Sequence, residues 1–478
     1  MKQSTSALIR GCLPVVAASG AVRLFAAASA LSAAVISPAW SVEKEVISQA
    51  PSARALAFER KAEWAIRNDP NLKYSPSTIL VQFDPSAPPY RRDSLRKLVD
   101  GERIASVRLV PGLEVVGTSL PPEWAVRILS RQPGVLIAEL DPVLRITDTI
   151  PNDPLLPAMW GLLNNGQTGG LSGADIRATK AWDIFTGNPN FVVADVDTGI
   201  QLDHPDLAAN IWTNPGEIPN NNKDDDGNGF KDDVHGWDFV NNKKDPIDDN
   251  GHGTHTAGTI GAVGNNGIGV AGVNWSVKIM PLKTFNENGY GTGSHMMQAL
   301  DYAVAMGARV SNNSWGSAPY PNNYKNAWPS LRKTIENARA AGHLVVAAAA
   351  NSALDADLTP QFPAAYDLDN IISVAAMDHN DNLAWFSNYG LTSVDLGAPG
   401  VAVLSTRPGG NYTYGYGTSM ATPHVTGVAA LVWGLHPDWT YSQVRDAILN
   451  TTRPVPALAG KTVTGGVLDA FAAILYVP

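Results

Sequence analysis

Phe191-Val-Val-Ala-Asp195-Val-Asp197-Thr-Gly199 is an apolar run that ends in a carboxylate and a glycine turn. A short run with no polar face reads as a strand buried on both sides, as strands of parallel sheets are. Similar runs follow at 277–283, 308–313, 343–350 and 371–376, with helical stretches at 293–306, 324–341, 419–435 and 441–450. This alternation predicts an α/β fold: a doubly wound parallel sheet with helices on both faces. Chemistry in such sheets gathers at the carboxyl ends of the strands, where Asp197 stands. Met296, Leu300 and Val304 recur at helical spacing and read as core.

Upstream of residue 148 the pattern changes. Residues 78–83 alternate like a strand, 90–99 read as an amphipathic helix, and 105–109 and 113–117 are strand-like about the turn signal Pro111-Gly112. A second helix at 121–131 and a last strand at 135–139 complete β-α-β-β-α-β, a small α+β ferredoxin-like domain over 76–147. Residues 42–75 are charged and helix-prone and read as a linker. The first 41 residues open with Lys2 and Arg10, pass Arg23 into 17 small and apolar residues (24–40), then turn polar at Ser41. That is the order of a cleaved secretory signal. A membrane anchor is the rival, because 17 residues is near the lower limit for spanning. Secretion is expected, with no membrane association after the signal is removed.

Composition narrows the classes further. The only cysteine among 478 residues, Cys12, excludes a disulfide framework and a Cys-rich metal site. The net charge of −9 is the sum of +5 over residues 1–147 and −14 over 148–478, two pieces with different fates. An acidic balance argues against nucleic acid as a partner.

Three motifs stand at strand or helix ends. The opening stretch is followed by His204-Pro205-Asp206-Leu207; alone, its Asp-Thr-Gly is an ordinary turn. The second is Gly251-His252-Gly253-Thr254-His255-Thr256-Ala257-Gly258, where small residues let a helix start close to other backbone. It lacks the His-Glu-x-x-His spacing of a zinc helix, so one histidine reads as a base and the other as structural. The third, Gly417-Thr418-Ser419-Met420-Ala421-Thr422-Pro423-His424, opens a long apolar helix. A serine there gains from the positive end of the helix dipole, although an N-cap occupies the same place. Ala421 breaks the G-x-S-x-G elbow, and the order Asp, His, Ser opposes the α/β-hydrolase order.

In this order the three motifs resemble the subtilisin family of serine proteases, over roughly residues 148–478. The resemblance implies a subtilisin-like catalytic domain with Asp197 as triad acid, His252 as base, Ser419 as nucleophile and His255 structural. Residues 76–147 are then similar to an inhibitory propeptide, with the processing bond between residues 144 and 151. The strand ending Ala349-Ala350-Asn351 lies where the family places its oxyanion side chain, Asn351. Ala350 departs from the usual glycine, and its Cβ would narrow the wall of the substrate pocket. Asp195 departs too, since an apolar residue is common there. It shares a face with Asp197, either raising the pKa of the triad acid or simply held by a nearby donor. Neither departure removes a reacting group.

Asn313-Ser314-Trp315-Gly316 and Asn288-Gly289-Tyr290-Gly291 resemble the family's substrate-lining segments, where a peptide adds as an extra strand. Tyr290 and Trp315 are either side-chain pockets or packing aromatics. Met420 beside the nucleophile would make turnover sensitive to peroxide unless it is buried. The expected partners are protein or peptide substrates and the chain's own propeptide as intramolecular inhibitor, in a monomer.

Calcium is the expected cofactor, at two sites. From Asp224, the insertion 222–233 has oxygen ligands at alternating positions and glycine at the sixth, the first half of an EF-hand loop. His235 replaces the terminal Glu; Asp224, Asp226, Asn228 and Asp232 are the candidate ligands, against a solvated acidic turn. The second site resembles the family's strong calcium site: Asp153, Asp206, the Asn266 side chain and the carbonyls of Val263, Ile268 and Val270. Three rival readings are a non-enzymatic scaffold, a calcium-dependent surface protein and a processing peptidase with one substrate.

Overall fold

The computed structural model describes residues 51–69, 72–144, 148–321 and 327–478. The signal segment 1–41 with Cys12, and the first residues of the helix expected at 324–341, lie outside the described residues. The chain divides near residue 145 into two compact units.

The first unit runs α1 (Ala53–Asn68), β1 (Tyr74–Phe83), α2 (Pro89–Lys97), β2 (Gly101–Ser106), β3 (Leu113–Thr118), α3 (Pro122–Leu129) and β4 (Val135–Pro142). Its antiparallel sheet has the order β2-β3-β1-β4, the ferredoxin-like arrangement. Ile79, Val81 and Phe83 alternate inward on β1 and meet Leu95 of α2 with Ala125 and Leu129 of α3. The stretch read as a linker contributes α1, N-capped by the Ser52 hydroxyl, which accepts the Ala55 N–H at 3.0 Å. Its Phe58 ring fills the place of a side chain at Gly117, next to the inward Val116 and therefore on the opposite face of β3. β2 ends at Ser106 instead of reaching 109, because residues 107–110 close a turn, with the Val110 N–H on the Val107 carbonyl at 3.2 Å.

The second unit runs α4 (Ala178–Trp182), β5 (Gly187–Asp197), β6 (Trp237–Asp238), α5 (His252–Gly261), β7 (Ser276–Lys283), α6 (Gly293–Ala305), β8 (Val310–Asn313), α7 (Pro329–Ala340), β9 (Leu344–Ala348), β10 (Ile371–Met377) and β11 (Leu396–Pro399). It continues with the hairpin β12 (Val403–Arg407) and β13 (Asn411–Gly415), then α8 (Thr418–Leu435), α9 (Tyr441–Leu449), β14 (Arg453–Pro454) and β15 (Gly466–Val467). Nine strands form one sheet, β14-β15-β11-β10-β9-β8-β5-β7-β6, parallel except for β14. This is the doubly wound sheet expected from the sequence.

Side-chain alternation on β5 sorts the two layers. Val193 points into the core built with α5 and α8, whereas Ala194 and Val196 point to the core built with α6. From Thr418 to Gly434 every residue of α8 except Ser419 is buried, as a helix apolar all round must be. That one opening is at its first turn.

Candidate active site

Asp197 ends β5, an interior strand between β8 and β7, with 2% exposure. His252 opens α5, and its Nδ1 lies 2.7 and 2.9 Å from the two Asp197 carboxylate oxygens. The helix must start close against β5 for this to happen. Gly253 permits it, because a Cβ there would stand 2.2 Å from the Gly199 carbonyl oxygen. Asp248 fixes the same end: Oδ1 accepts the Gly251 N–H at 2.8 Å and the Thr198 hydroxyl at 2.8 Å, and Oδ2 accepts the Thr254 N–H at 2.9 Å. A carboxylate here is also favoured by the helix dipole.

The imidazole of His252 is about one-third exposed (31%). Burial lowers its pKa, but the charge and hydrogen bond of Asp197 outweigh that and raise it to about 9. Folding therefore gains from imidazolium below the unfolded value of ~6.5 and loses that gain as pH rises through about 9. His255, one turn on, behaves oppositely. Burial lowers it to about 4, and its Nε2 serves the Val403 and Thr413 carbonyls at 3.1 and 3.2 Å. It holds α5 against the β12–β13 hairpin.

Ser419 stands in the first turn of α8. Its hydroxyl donates to the Ser314 carbonyl at 2.9 Å, while the Ser314 hydroxyl donates to the Ser419 carbonyl at 2.8 Å. Asn351 follows β9, exposed, and its Oδ1 accepts the Thr418 N–H at 2.8 Å and the Thr418 hydroxyl at 3.0 Å. With Oδ1 so occupied, Nδ2 is the end left for a ligand. Ala350 adopts a left-handed φ of +82°, and Ala349 is buried. Met420 is 5% exposed, so the peroxide sensitivity expected of an accessible thioether is withdrawn.

Of the two segments expected to line the site, 313–316 reaches Ser419 directly, through Ser314. Trp315 packs against both the α6 and α7 cores, with its ring 6.4 Å from that of Phe285, so it is a packing aromatic. Tyr290 is 76% exposed in the turn that carries Gly289 and Gly291. Gly316 has no neighbour nearer than 3.7 Å to a Cβ built on it.

The two cation sites fare differently. Asp153 and Asp206 are buried together: Asp153 Oδ2 accepts the Asn265 N–H at 2.6 Å, and Asp206 accepts from Asn266 Nδ2 at 2.8 Å and the Val270 N–H at 2.9 Å. Burial raises both carboxyls, Asp153 further through the charge of Asp206, and Asp153 Oδ1 is buried without a partner. Val263 and Ile268 lie in the same loop, the Val263 N–H on the Asp206 carbonyl at 2.8 Å. Two buried like charges and an orphaned oxygen fit a hard cation.

In the acidic insertion, Asp226 converges with Glu217 and Asp233, their carboxylate oxygens within 4.8 Å of one another. Asp224 and Asp232 are not part of that group. Asp224 closes the loop on the N–H groups of Gly227, Asn228 and Gly229, and Asp232 accepts from Asn221 and Asn222. Asn228 donates to Asp226 and Asp233 from its amide nitrogen. Asp233 is fully buried with Oδ1 unpartnered, so these residues also fit a cation. Glu217 supplies the carboxylate missing at position 235. It precedes the loop, where an EF-hand spacing does not look for it.

Residues 188–470 match the subtilase family, peptidase S8. The chain belongs to the subtilase family, the class of subtilisin-like serine proteases. It is 37% identical to thermitase of Thermoactinomyces vulgaris over 301 residues, 63% of this chain and 94% of that protein. It is 35% identical to subtilisin-like protease 1 of Plasmodium vivax over 319 residues, 62% of this chain and only 49% of that longer protein. Among solved structures, a protease of Pseudoalteromonas arctica aligns with a TM-score of 0.54 at 31% identity, covering 68% of this chain and 98% of that one.

Proposed function

We propose that this chain is a serine endopeptidase made as a secreted zymogen, with Asp197, His252 and Ser419 as the triad and residues 76–147 as an inhibitory propeptide. The observation that carries the reading is the His252–Asp197 pair at 2.7 Å, on the strand end and helix start that the family match spans. Asp197 holds Nδ1–H, which leaves Nε2 to receive the Ser419 hydroxyl proton as Oγ attacks the scissile carbonyl. In this state the Ser419 O–H donates its hydrogen bond to the Ser314 carbonyl, and a substrate-bound site redirects it. The bond to nitrogen breaks as His252 returns the proton to the leaving amine, and water then releases the acyl group by the reverse path. The Asn351 amide and the Ser419 N–H, which has no intrahelical acceptor, would hold the oxyanion; one such donor is worth about 10²–10³ in turnover. Substrates are extended peptides laid along 313–316 and 288–291.

Calcium would be held by Asp153 and Asp206 with Val263, Asn266, Ile268 and Val270, and by Glu217, Asp226 and Asp233. It would supply positive charge that lets these buried carboxylates stay ionised, a structural role. A fluorophosphonate tests the reading by tagging an activated serine. One adduct per chain, on Ser419, is expected; an unmodified protein is the outcome for a binding scaffold.

A further inference from the structure

Asp195 lies two residues before Asp197 on β5, so both carboxyls face α5 and α8. It is 1% exposed, and two side chains reach it: Asn312 Nδ2 donates to Oδ1 at 2.9 Å, and Thr256 Oγ1 is 3.0 Å from Oδ2. Thr256 sits one turn beyond His252 on α5. Asn312, on β8, gives its other N–H to the Ser314 hydroxyl at 3.0 Å, and that hydroxyl donates to the Ser419 carbonyl. The Asn312 Oδ1 in turn faces the Thr426 hydroxyl of α8 at 3.2 Å. One buried carboxyl thus connects the strand of Asp197, the helix of His252, the helix of Ser419 and the strand that leads into the lining segment.

Among the described residues no cation pairs with this carboxyl. Lys283, on the adjacent β7, directs its ammonium to the Thr198 and Phe285 carbonyls and to Asp249. The titratable groups that face Asp195 are Asp197 on its own strand and His252 on α5, while β8 and α8 present the uncharged Asn312 and Thr426. His255, the other titratable group of α5, is turned to the Val403 and Thr413 carbonyls. Thr256 Oγ1 stands 3.0 Å from both Asp195 Oδ2 and the Gly253 carbonyl oxygen. A proton on Asp195 satisfies both contacts at once: its O–H donates to Thr256 Oγ1, and the Thr256 O–H donates to Gly253.

We propose that Asp195 is a positioning residue of the proteolytic reaction, a neutral carboxylic acid that pins the three triad-bearing elements and leaves Asp197 as the one carboxylate bonded to His252. Burial, and after it the charge of Asp197, raises the Asp195 carboxyl well above its usual range, in line with the geometry.

The assignment rests on the triad reading above. Its test is the pH profile of Asp195→Asn and Asp195→Val. The amide of Asp195→Asn donates to Thr256 and accepts from Asn312 as the acid does, so the acid limb of kcat/KM should stay in place and its value within about threefold. Asp195→Val strands both partners and should lower kcat about tenfold at unchanged KM, a loss that Asn rescues. An acid limb about one unit lower in Asp195→Asn would mean that an anion had been removed from beside His252, and would overturn the proposal. So would an Asp195→Val enzyme equal to the parent. Carbon-13 spectra of the aspartate-labelled chain read the proton without turnover. A protonated aspartate carboxyl that persists from neutral into alkaline pH and is missing from Asp195→Asn supports the assignment, and the lack of any such signal lost in that variant overturns it while leaving the triad untouched.

Discussion

Ala350 holds a backbone conformation that an L-residue resists, φ +82°, one residue before Asn351, the proposed oxyanion donor. Its N–H donates to the Thr418 hydroxyl at 3.2 Å and its carbonyl accepts from Asn388 at 2.9 Å, so the surroundings leave it no other choice. The left-handed well costs a residue with a Cβ about 1–2 kcal/mol, and glycine enters it freely. Ala350→Gly should therefore stabilise the inhibitor-blocked protein by about 1 kcal/mol after the entropy that glycine adds to the unfolded chain, a rise in Tm of about 2 °C by calorimetry. A lowered Tm would show that the position carries no strain. The sequence displays this alanine as an altered pocket wall, since a side chain is written in the sequence and a φ angle is not. The proposed reacting residues Asp197, His252, Ser419 and Asn351 can be picked out in the sequence because each sits in a fixed local motif. Thr418 and Asp248, which aim two of them, cannot be: a small polar residue near a helix start reads as a cap whether or not it touches a reacting group. Ser314 was legible as part of a lining segment, but not as the partner of Ser419.

Elements were legible in proportion to their length and to the regularity of their burial. α8 announces itself because nearly every residue is buried, and β5 because its last five residues, Val193–Asp197, all are, whereas β6, β14 and β15 span two residues each and have no period to detect. The helix α1 was read as a linker because its charged residues outnumber the few that it buries, Ala55 and Ala62 among them. The acidic insertion was half legible. Spacing located Asp226, but only the folded chain brings Glu217 and Asp233 to it. The proposed site at Asp153 and Asp206 joins segments distant in sequence, and the one at Glu217, Asp226 and Asp233 ties one insertion to itself, so emptying either should loosen the loops that it holds. A chelator is expected to lower Tm and to speed autolysis, read by calorimetry and by the rate of fragment release. Melting curves identical with and without excess chelator would contradict calcium at both places.

At the scale of the whole chain, the charge division is the sequence feature that first separates two pieces, +5 over residues 1–147 and −14 over 148–478. The structure parts near the same point, into a ferredoxin-like unit and a doubly wound one that carries all of the proposed reacting groups. Such a chain would be its own first substrate, with the cut between residues 144 and 151. The reaction proposed for Ser419 is then readable in one preparation, without knowledge of any other substrate. In subtilisin, loss of the nucleophile costs about 2 × 10⁶ in turnover. The most direct measurement is the mass of the full chain carrying Ser419→Ala, purified alone and compared with the parent. Persistence of the uncut precursor, while the parent separates near residue 148, is the predicted result. Complete self-cleavage of the variant at the same bond would contradict the triad.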